Sequence, residues 1–401
     1  MKRPLRRMTS ALLLLVPLAA APATTAAADP PSRPPLRSAP APLRTQAEGG
    51  ITGQYIVTLK RDVTSATVAQ RAGVTPLFSY SRALSGFAAR LTAEQLAAVR
   101  TLPEVEAVEQ DAVVTAAPVQ ASPAAPRVAA SSWGLDRIDQ PYLPLDNQFN
   151  VNSTGAGAWA FILDTGIDYG HREFAGRVYA GFDAIGDGRN GQDCQGHGTH
   201  VAGTVGGSTY GVARQVRLVS VRVLNCEGKG SNAGIIAGMD WVARNAVQPA
   251  VLNASLGGPR SEAVNLAATA LSDSGVLPVV AAGNDAVDAC GISPASASRV
   301  VTVGATNHLD QETNFSNFGR CLWIYAPGAQ IISARLGGGS VALNGTSMAS
   351  PHVAGVAALY KAQNPAAGPE NVAVWLADQS VKGTLTVTKG SPNRLLQTGG
   401  L

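Results

Sequence analysis

No later stretch of this sequence comes near the ~20 consecutive apolar residues that a membrane-spanning helix needs, and its first apolar run, Ala11 to Ala21, is too short. Charge is scarce as well, with Asp, Glu, Lys and Arg supplying 14% of the residues. The formal net charge of +4 is no nucleic-acid footprint, because much of the basic excess lies in Lys2, Arg3, Arg6, Arg7, Arg33, Arg37 and Arg44. No internal repeat is present. Cysteine is limited to four residues. Nucleic-acid and membrane partners are therefore not expected.

Hydrophobic residues make up 45% of the 401 positions, enough to bury a sizeable core, and 43 glycines suit tight turns. Basic Lys2 to Arg7 precede the first apolar run, and the small residues Ala26 and Ala28 precede Asp29. This pattern reads as an export signal over residues 1–28, so the product is expected outside the cell. Residues 29–53, rich in Pro and Ala, read as a disordered spacer. Residues 54–115 carry strand, helix, two strands, helix and strand, with Thr92 as a helix N-cap. That order fits a small α+β ferredoxin-like domain. Residues 116–130 form a second Ala/Pro-rich linker, which can bury little and is open to cleavage.

Residues 131–401 alternate short apolar runs with helical patterns. Ala158 to Leu163, Val216 to Val223 and Val276 to Ala282 suit buried parallel strands, with helices between them. The expected fold class is an α/β three-layer domain with a mostly parallel central sheet. Ligands in such sheets bind at the carboxyl ends of the strands.

Three motifs fall at such ends. Asp164 closes an apolar strand in Ile162-Leu163-Asp164-Thr165-Gly166. His197 opens a helix in Gly196-His197-Gly198-Thr199-His200-Val201-Ala202-Gly203. Ser347 opens another in Gly345-Thr346-Ser347-Met348-Ala349-Ser350-Pro351-His352, where Pro351 is read as a first-turn residue. A serine hydroxyl is a poor nucleophile without a base, an imidazole can be that base near neutral pH, and a buried carboxylate fixes its tautomer. Singly, the three have bland alternatives: Asp164 as a helix cap, His197 as a packed core histidine, Ser347 as an N-cap. Full motifs in this order favour the catalytic reading. Ser347 lies outside any Gly-x-Ser-x-Gly elbow, so a lipase or esterase is not indicated. An inactive peptide-binding module is disfavoured because no member of the trio is missing.

These motifs resemble the signatures of the subtilisin-like serine peptidases, nearest to the proteinase K-like branch and its aqualysin-type secreted members. The resemblance runs from about Trp133 to Leu396, and residues 54–115 resemble the inhibitory propeptide of such enzymes. It implies a secreted, monomeric serine endopeptidase that hydrolyses protein and peptide substrates and is processed by itself from a zymogen, its own propeptide acting as intramolecular inhibitor. It implies that Asn284 and the backbone N–H of Ser347 bind the oxyanion. Gly228, Lys229 and Gly230 on one side and Ser255, Leu256 and Gly257 on the other would clamp an extended substrate. Uncharged walls at Ala281, Ala282 and Gly283 and at Ser255, Leu256 and Gly257 imply broad specificity favouring apolar or aromatic residues before the cut. The cut itself is expected between about Thr115 and Val128. Lys229 stands where a small or polar residue is expected; it is either a solvated lysine, the commoner case, or a charge that favours acidic substrate groups.

Four cysteines in an exported chain allow two disulfides in three connectivities. The resemblance favours Cys194 with Cys226 and Cys290 with Cys321. A rival zinc site at Cys194, His197 and His200 lacks the Glu that a zinc-peptidase helix needs between its histidines. Calcium is expected at the oxygen-rich segment holding Asp136, Asp139, Gln140 and Asp146, with the Gln148 carbonyl added by resemblance. The alternative for these residues is capping and surface charge. Asp183, Asp187 and Asp193 form a weaker second candidate. Trp323 replaces a calcium-binding Asp of proteinase K, so that site is expected to be missing.

Overall fold

The computed structural model describes residues 39–116, 120–121, 132–387 and 390–401. The export signal read over residues 1–28 lies outside them. Residues from Ala39 onward form one compact unit.

The N-terminal part is built from β1 (Gly50–Leu59), α1 (Ser65–Arg71), β2 (Pro76–Tyr80), β3 (Gly86–Arg90), α2 (Ala93–Arg100) and β4 (Val105–Ala116). Its sheet order is β4-β1-β3-β2, with antiparallel neighbours, which gives the expected ferredoxin-like arrangement. Thr92 and Gln95 form a reciprocal capping box that starts α2. Val57, Leu59, Val68, Phe87, Val99 and Val108 make its core. The disordered spacer ends earlier than the sequence suggested. Gly50 already pairs with Ala112, Leu43 pairs with Val108, and Ala41 N–H donates to the Arg100 carbonyl at 2.7 Å. These backbone pairings, which leave Ala41 buried, order residues that composition alone marks as unstructured.

The larger part carries a nine-stranded sheet among the described residues. Its strands are β5 (Trp159–Asp164), β6 (Val178–Asp183), β7 (Arg217–Arg222), β9 (Ala250–Ala254), β11 (Leu277–Ala281), β12 (Val301–Thr306), β13 (Ile324–Pro327) and the pairs Arg394–Leu395 and Val381–Lys382. The order is β6-β7-β5-β9-β11-β12-β13, then Arg394–Leu395 and Val381–Lys382. Every pairing is parallel except that of Val381–Lys382. The strand period sends Ala160 and Ile162 of β5 to one face and Phe161 and Leu163 to the other. The first face packs against α3 (Trp133–Asp139), α4 (His197–Gly206) and α7 (Thr346–Gln363). The second packs against α5 (Asn232–Asn245) and α6 (Glu262–Asp273). Burial on both faces explains why these strands read as continuous apolar runs. Since β5 is central and continues to β7 on one side and β9 on the other, a crevice opens at the carboxyl ends of its strands.

Candidate active site

The crevice collects all three motifs. Asp164 is the last residue of β5, fully buried, and its Oδ1 accepts from Thr165 N–H at 2.7 Å. His197 is the first residue of α4, entered through Gly196 at φ 107°. A Cβ on Gly198 would collide with the Gly166 carbonyl, so glycine lets α4 sit directly against the Asp164 loop. His197 Nδ1 donates to Asp164 Oδ1 at 2.7 Å, because an ionised carboxylate only accepts. Burial lowers the His197 pKa. The charge of Asp164, its hydrogen bond and the charge of Asp193 outweigh that and hold it above the ordinary value.

Asp193 fastens this corner. Its carboxylate accepts from Gln195, Gly196 and Thr199 N–H and from the Thr165 and Thr199 hydroxyls. It is therefore a helix cap. Asp183 and Asp187 are held by Arg222, whose side chain is fully buried, at 3.1 and 2.6 Å. A guanidinium thus occupies the charge of the second expected calcium loop, and it pulls the Asp187 carboxyl down to about 2.

Ser347 is the second residue of α7, after Gly345 and Thr346. Its hydroxyl donates to the Ser255 carbonyl at 3.2 Å, and His197 Nε2 is buried without a hydrogen-bond partner among the described residues. Pro351 corrects the sequence reading: α7 starts at Thr346, so Pro351 lies past the first turn and removes a bond to the Ser347 carbonyl. Ser255 Oγ supplies that bond instead, at 2.8 Å. Ser255 is in turn held by Asn253 Nδ2, and Asn253 by Ser350 Oγ, both buried.

Asn284 follows β11. Its Oδ1 accepts from Thr346 N–H at 2.9 Å and Thr346 Oγ1 at 2.8 Å, which turns Nδ2 the other way. Nδ2 is buried and has no partner among the described residues. Asn317, fully buried, donates to the Ala282 carbonyl and accepts from Asp285 and Val287 N–H, fixing the loop that carries Asn284. Gly283 at φ 103° approaches Asn317 too closely for a side chain. Ala281 is buried at the end of β11, and Ala282 packs with Ala289, Leu322 and Tyr325.

Two short strands form the rims, β8 (Lys229–Ser231) and β10 (Leu256–Pro259). The end of β4 lies between them. Lys229 pairs with Thr115, Gly230 with Val114 and Ser231 with Val113. On the other side Leu256 pairs with Ala116 and Gly257 with Thr115. Ala116 N–H also donates to the Gly228 carbonyl at 2.8 Å. Of the expected rim residues, Gly228, Lys229, Gly230, Leu256 and Gly257 are thus brought together around an added strand, whereas Ser255 turns to Ser347. The described part of the expected linker is paired as well. Gln120 and Ala121 pair with Asn344 and Leu343 of Ser340–Asn344, the strand that leads into Ser347.

The rest of the N-terminal domain is seated by carboxylates. Glu109 Oε2 accepts from Glu262 and Ala263 N–H at the start of α6, and Asp111 Oδ1 from Ala233 N–H at the start of α5. Asp240, buried on α5, accepts three N–H groups from Ser81, Arg82 and Ala83 through one oxygen. Tyr80 donates its hydroxyl to the Ala233 carbonyl.

Residues 155–400 match the family described as subtilase, and residues 54–117 match peptidase inhibitor I9. The chain belongs to the subtilase family. It is a subtilisin-like serine protease preceded by an inhibitor-type propeptide domain. The extracellular serine proteinase of Thermus sp. (strain Rt41A) is 45% identical, covering 92% of this chain and 95% of its own. The alkaline serine exoprotease A of Vibrio alginolyticus is 48% identical over 79% of this subtilase, which spans 59% of that enzyme's length. A crystal structure of a cold adapted subtilisin-like serine proteinase is 48% identical with a TM-score of 0.66, covering 66% of this chain and 97% of the other.

The disulfides of this subtilase are Cys194–Cys226 and Cys290–Cys321, the pairings that the resemblance favoured. They overturn the zinc alternative. Cys194 is oxidised, His197 bonds Asp164, and His200 Nε2 donates to the Ile331 and Val341 carbonyls. Burial pushes His200 down to about 3, so it stays a neutral packing residue of α4. In the candidate calcium segment, Asp146 N–H donates to both Asp136 Oδ1 and Gln140 Oε1, and Asn147 N–H donates to Asp136 Oδ2. Asp139 Oδ1 is buried and has no hydrogen-bond partner among the described residues, and burial with the charges of Asp146 and Asp136 pushes that carboxyl up. Among the described residues no group of three or more His, Cys, Asp or Glu forms a ready metal cluster. No helix among them is long and apolar enough to cross a membrane.

Proposed function

We propose that this subtilase is a secreted, monomeric endopeptidase that frees itself from its own propeptide and then cuts proteins with broad specificity. Ser347 attacks the peptide carbonyl while His197 takes its proton and later protonates the leaving amine. Asp164 keeps the proton of His197 on Nδ1 and stabilises the imidazolium. The Asn284 amide and the Ser347 N–H hold the oxyanion as it forms. An acyl-enzyme on Ser347 results, and water releases it.

The observation that carries this reading is β4. It runs as an added strand between the rims, and the chain reappears at Gln120 beside the strand leading into Ser347. A strand seated between the two rims in this way has the pairing of a bound substrate. The self-cut therefore falls between Ala116 and Gln120, inside the interval expected from the sequence. The uncharged residues Ser255, Leu256, Gly257, Ala281, Ala282 and Gly283 support a preference for apolar or aromatic residues before the cut. The buried Asp139 Oδ1, without a hydrogen-bond partner among the described residues, supports a structural calcium ion held by Asp136, Asp139, Gln140, Asp146 and the Gln148 carbonyl, where it would neutralise crowded carboxylates.

Labelling the mature enzyme with a fluorophosphonate, which phosphonylates activated serines with loss of fluoride, followed by peptide mapping, tests the nucleophile. Stoichiometric modification of Ser347 with loss of casein hydrolysis is expected. Full modification elsewhere, or activity surviving it, would overturn the reading.

A further inference from the structure

The register of β4 says which substrate side chain stands beside Lys229. Along β4 burial alternates, with Val113 39% exposed, Val114 1% exposed and Thr115 exposed again. Side chains at the Thr115 position therefore point out of the crevice, on the face opposite Val114. Thr115 is paired with Lys229 across one edge and with Gly257 across the other. Directly paired residues in antiparallel strands hold their side chains side by side. Glycine offers none, so Lys229 is the cross-strand side chain that faces this position.

The lysine is held ready for such contact. Its N–H donates to Asn225 Oδ1 at 2.9 Å, and its carbonyl accepts from Asn225 N–H at 2.8 Å. The turn before it closes through Gly228 N–H to the Asn225 carbonyl. Lys229 is exposed, and among the described residues no ion pair engages its ammonium, although Glu227 is nearby in sequence. In the precursor the facing residue is Thr115, which cannot use that charge.

We propose that Lys229 is a specificity-determining residue that favours an acidic side chain at the substrate position Thr115 occupies. This deepens the endopeptidase reading above and rests on it. The precursor's threonine leaves the preference unsatisfied, so a processed propeptide gains nothing from it while an acidic substrate does. A cross-strand charge pair at a solvated rim is worth a factor of about two to five at low ionic strength, and salt screens it.

The test uses quenched-fluorescence peptides spanning the sequence Gln110 to Ala121 with Glu, Thr or Lys at position 115. They are cut by the mature wild-type, Lys229→Ser and Lys229→Glu enzymes, with the cut site mapped by mass spectrometry. For wild type, kcat/KM is expected to fall from the Glu to the Thr to the Lys peptide, mainly through KM. Lys229→Ser should level the series, Lys229→Glu should reverse it, and about 0.5 M salt should flatten all three. Equal rates on Glu and Lys peptides by wild type, or the same ranking in Lys229→Ser, would overturn the role of Lys229 alone. No hydrolysis of any peptide would sink the endopeptidase reading together with it.

Discussion

Replacing Asp240 by Ala should release the propeptide without touching catalysis. One carboxylate oxygen of Asp240 accepts N–H groups from Ser81, Arg82 and Ala83 at 2.9, 2.6 and 2.9 Å, and the residue is 1% exposed. A hydrogen bond to a charged group contributes about 1.5–3 kcal/mol net. The three share one oxygen, and water can replace part of what the freed N–H groups lose. A total loss of about 2–4 kcal/mol follows, or about 30- to 1000-fold in dissociation constant. Asp240→Asn keeps an acceptor and loses only the charge, so about 1–2 kcal/mol is expected. The other contact of Asp240 is Arg244, 45% exposed on the next turn of α5, and such pairs contribute about 0.3–0.5 kcal/mol. The mature enzyme should therefore keep its kcat/KM and stability. The assay dilutes the processed, still-associated complex and follows the return of casein hydrolysis, which gives the dissociation constant. A change under threefold for Asp240→Ala would refute the reasoning, as would an equal loss in the Asn variant.

Three further outcomes are expected. Asn284→Ala should lower kcat by about 10²–10³ with little change in KM, the loss known for the side-chain oxyanion donor of subtilisin; a KM effect alone would assign Asn284 to binding. On the inactive Ser347→Ala background, chelation of calcium should lower the melting midpoint, and Asp139→Asn should remove that sensitivity; an indifferent wild-type segment would exclude the ion. Lys361 is buried on α7, its Nζ donating to Gln248 Oε1 and the Gly275 carbonyl, and burial pushes its pKa down to about 8. Between pH 8 and the ordinary lysine value near 10.4, the unfolded chain holds a proton that the native chain does not. Lys361 therefore makes stability rise with pH across that window, by up to about 3 kcal/mol relative to Lys361→Met. A constant gap between the two proteins from pH 7.5 to 10.5, in melts on the Ser347→Ala background, would contradict this.

The central sheet and the three site motifs were legible because both signals are local. Buried parallel strands must be apolar throughout, as Trp159–Asp164 and Leu277–Ala281 are, and each motif is contiguous in sequence. What escaped the sequence is what the fold brings together from afar. Arg222 is an ordinary basic residue in a strand until Asp183 and Asp187 enclose it, and nothing in the acidic loop distinguishes a guanidinium from a calcium ion. Asn317, and the bond from the Ser255 hydroxyl to the Ser347 carbonyl, act through backbone groups far away in sequence, so no residue pattern marks them. The start of α7 is set by Gly345 and Asn284, which places Pro351 past its first turn, and the proline's missing bond is replaced by the hydroxyl of Ser255, far away in sequence. The early start of the N-terminal domain followed from strand partners at Val108 and Ala112, which composition does not reveal.

The most direct measurement compares wild type with Ser347→Ala, each expressed as the full precursor, following propeptide cleavage on a gel and casein hydrolysis in the medium. Wild type should mature and digest casein, while the variant stays uncut and inert. A variant that still digests casein would contradict the assignment of Ser347 as nucleophile, and one that matures normally would show that another protease makes the cut.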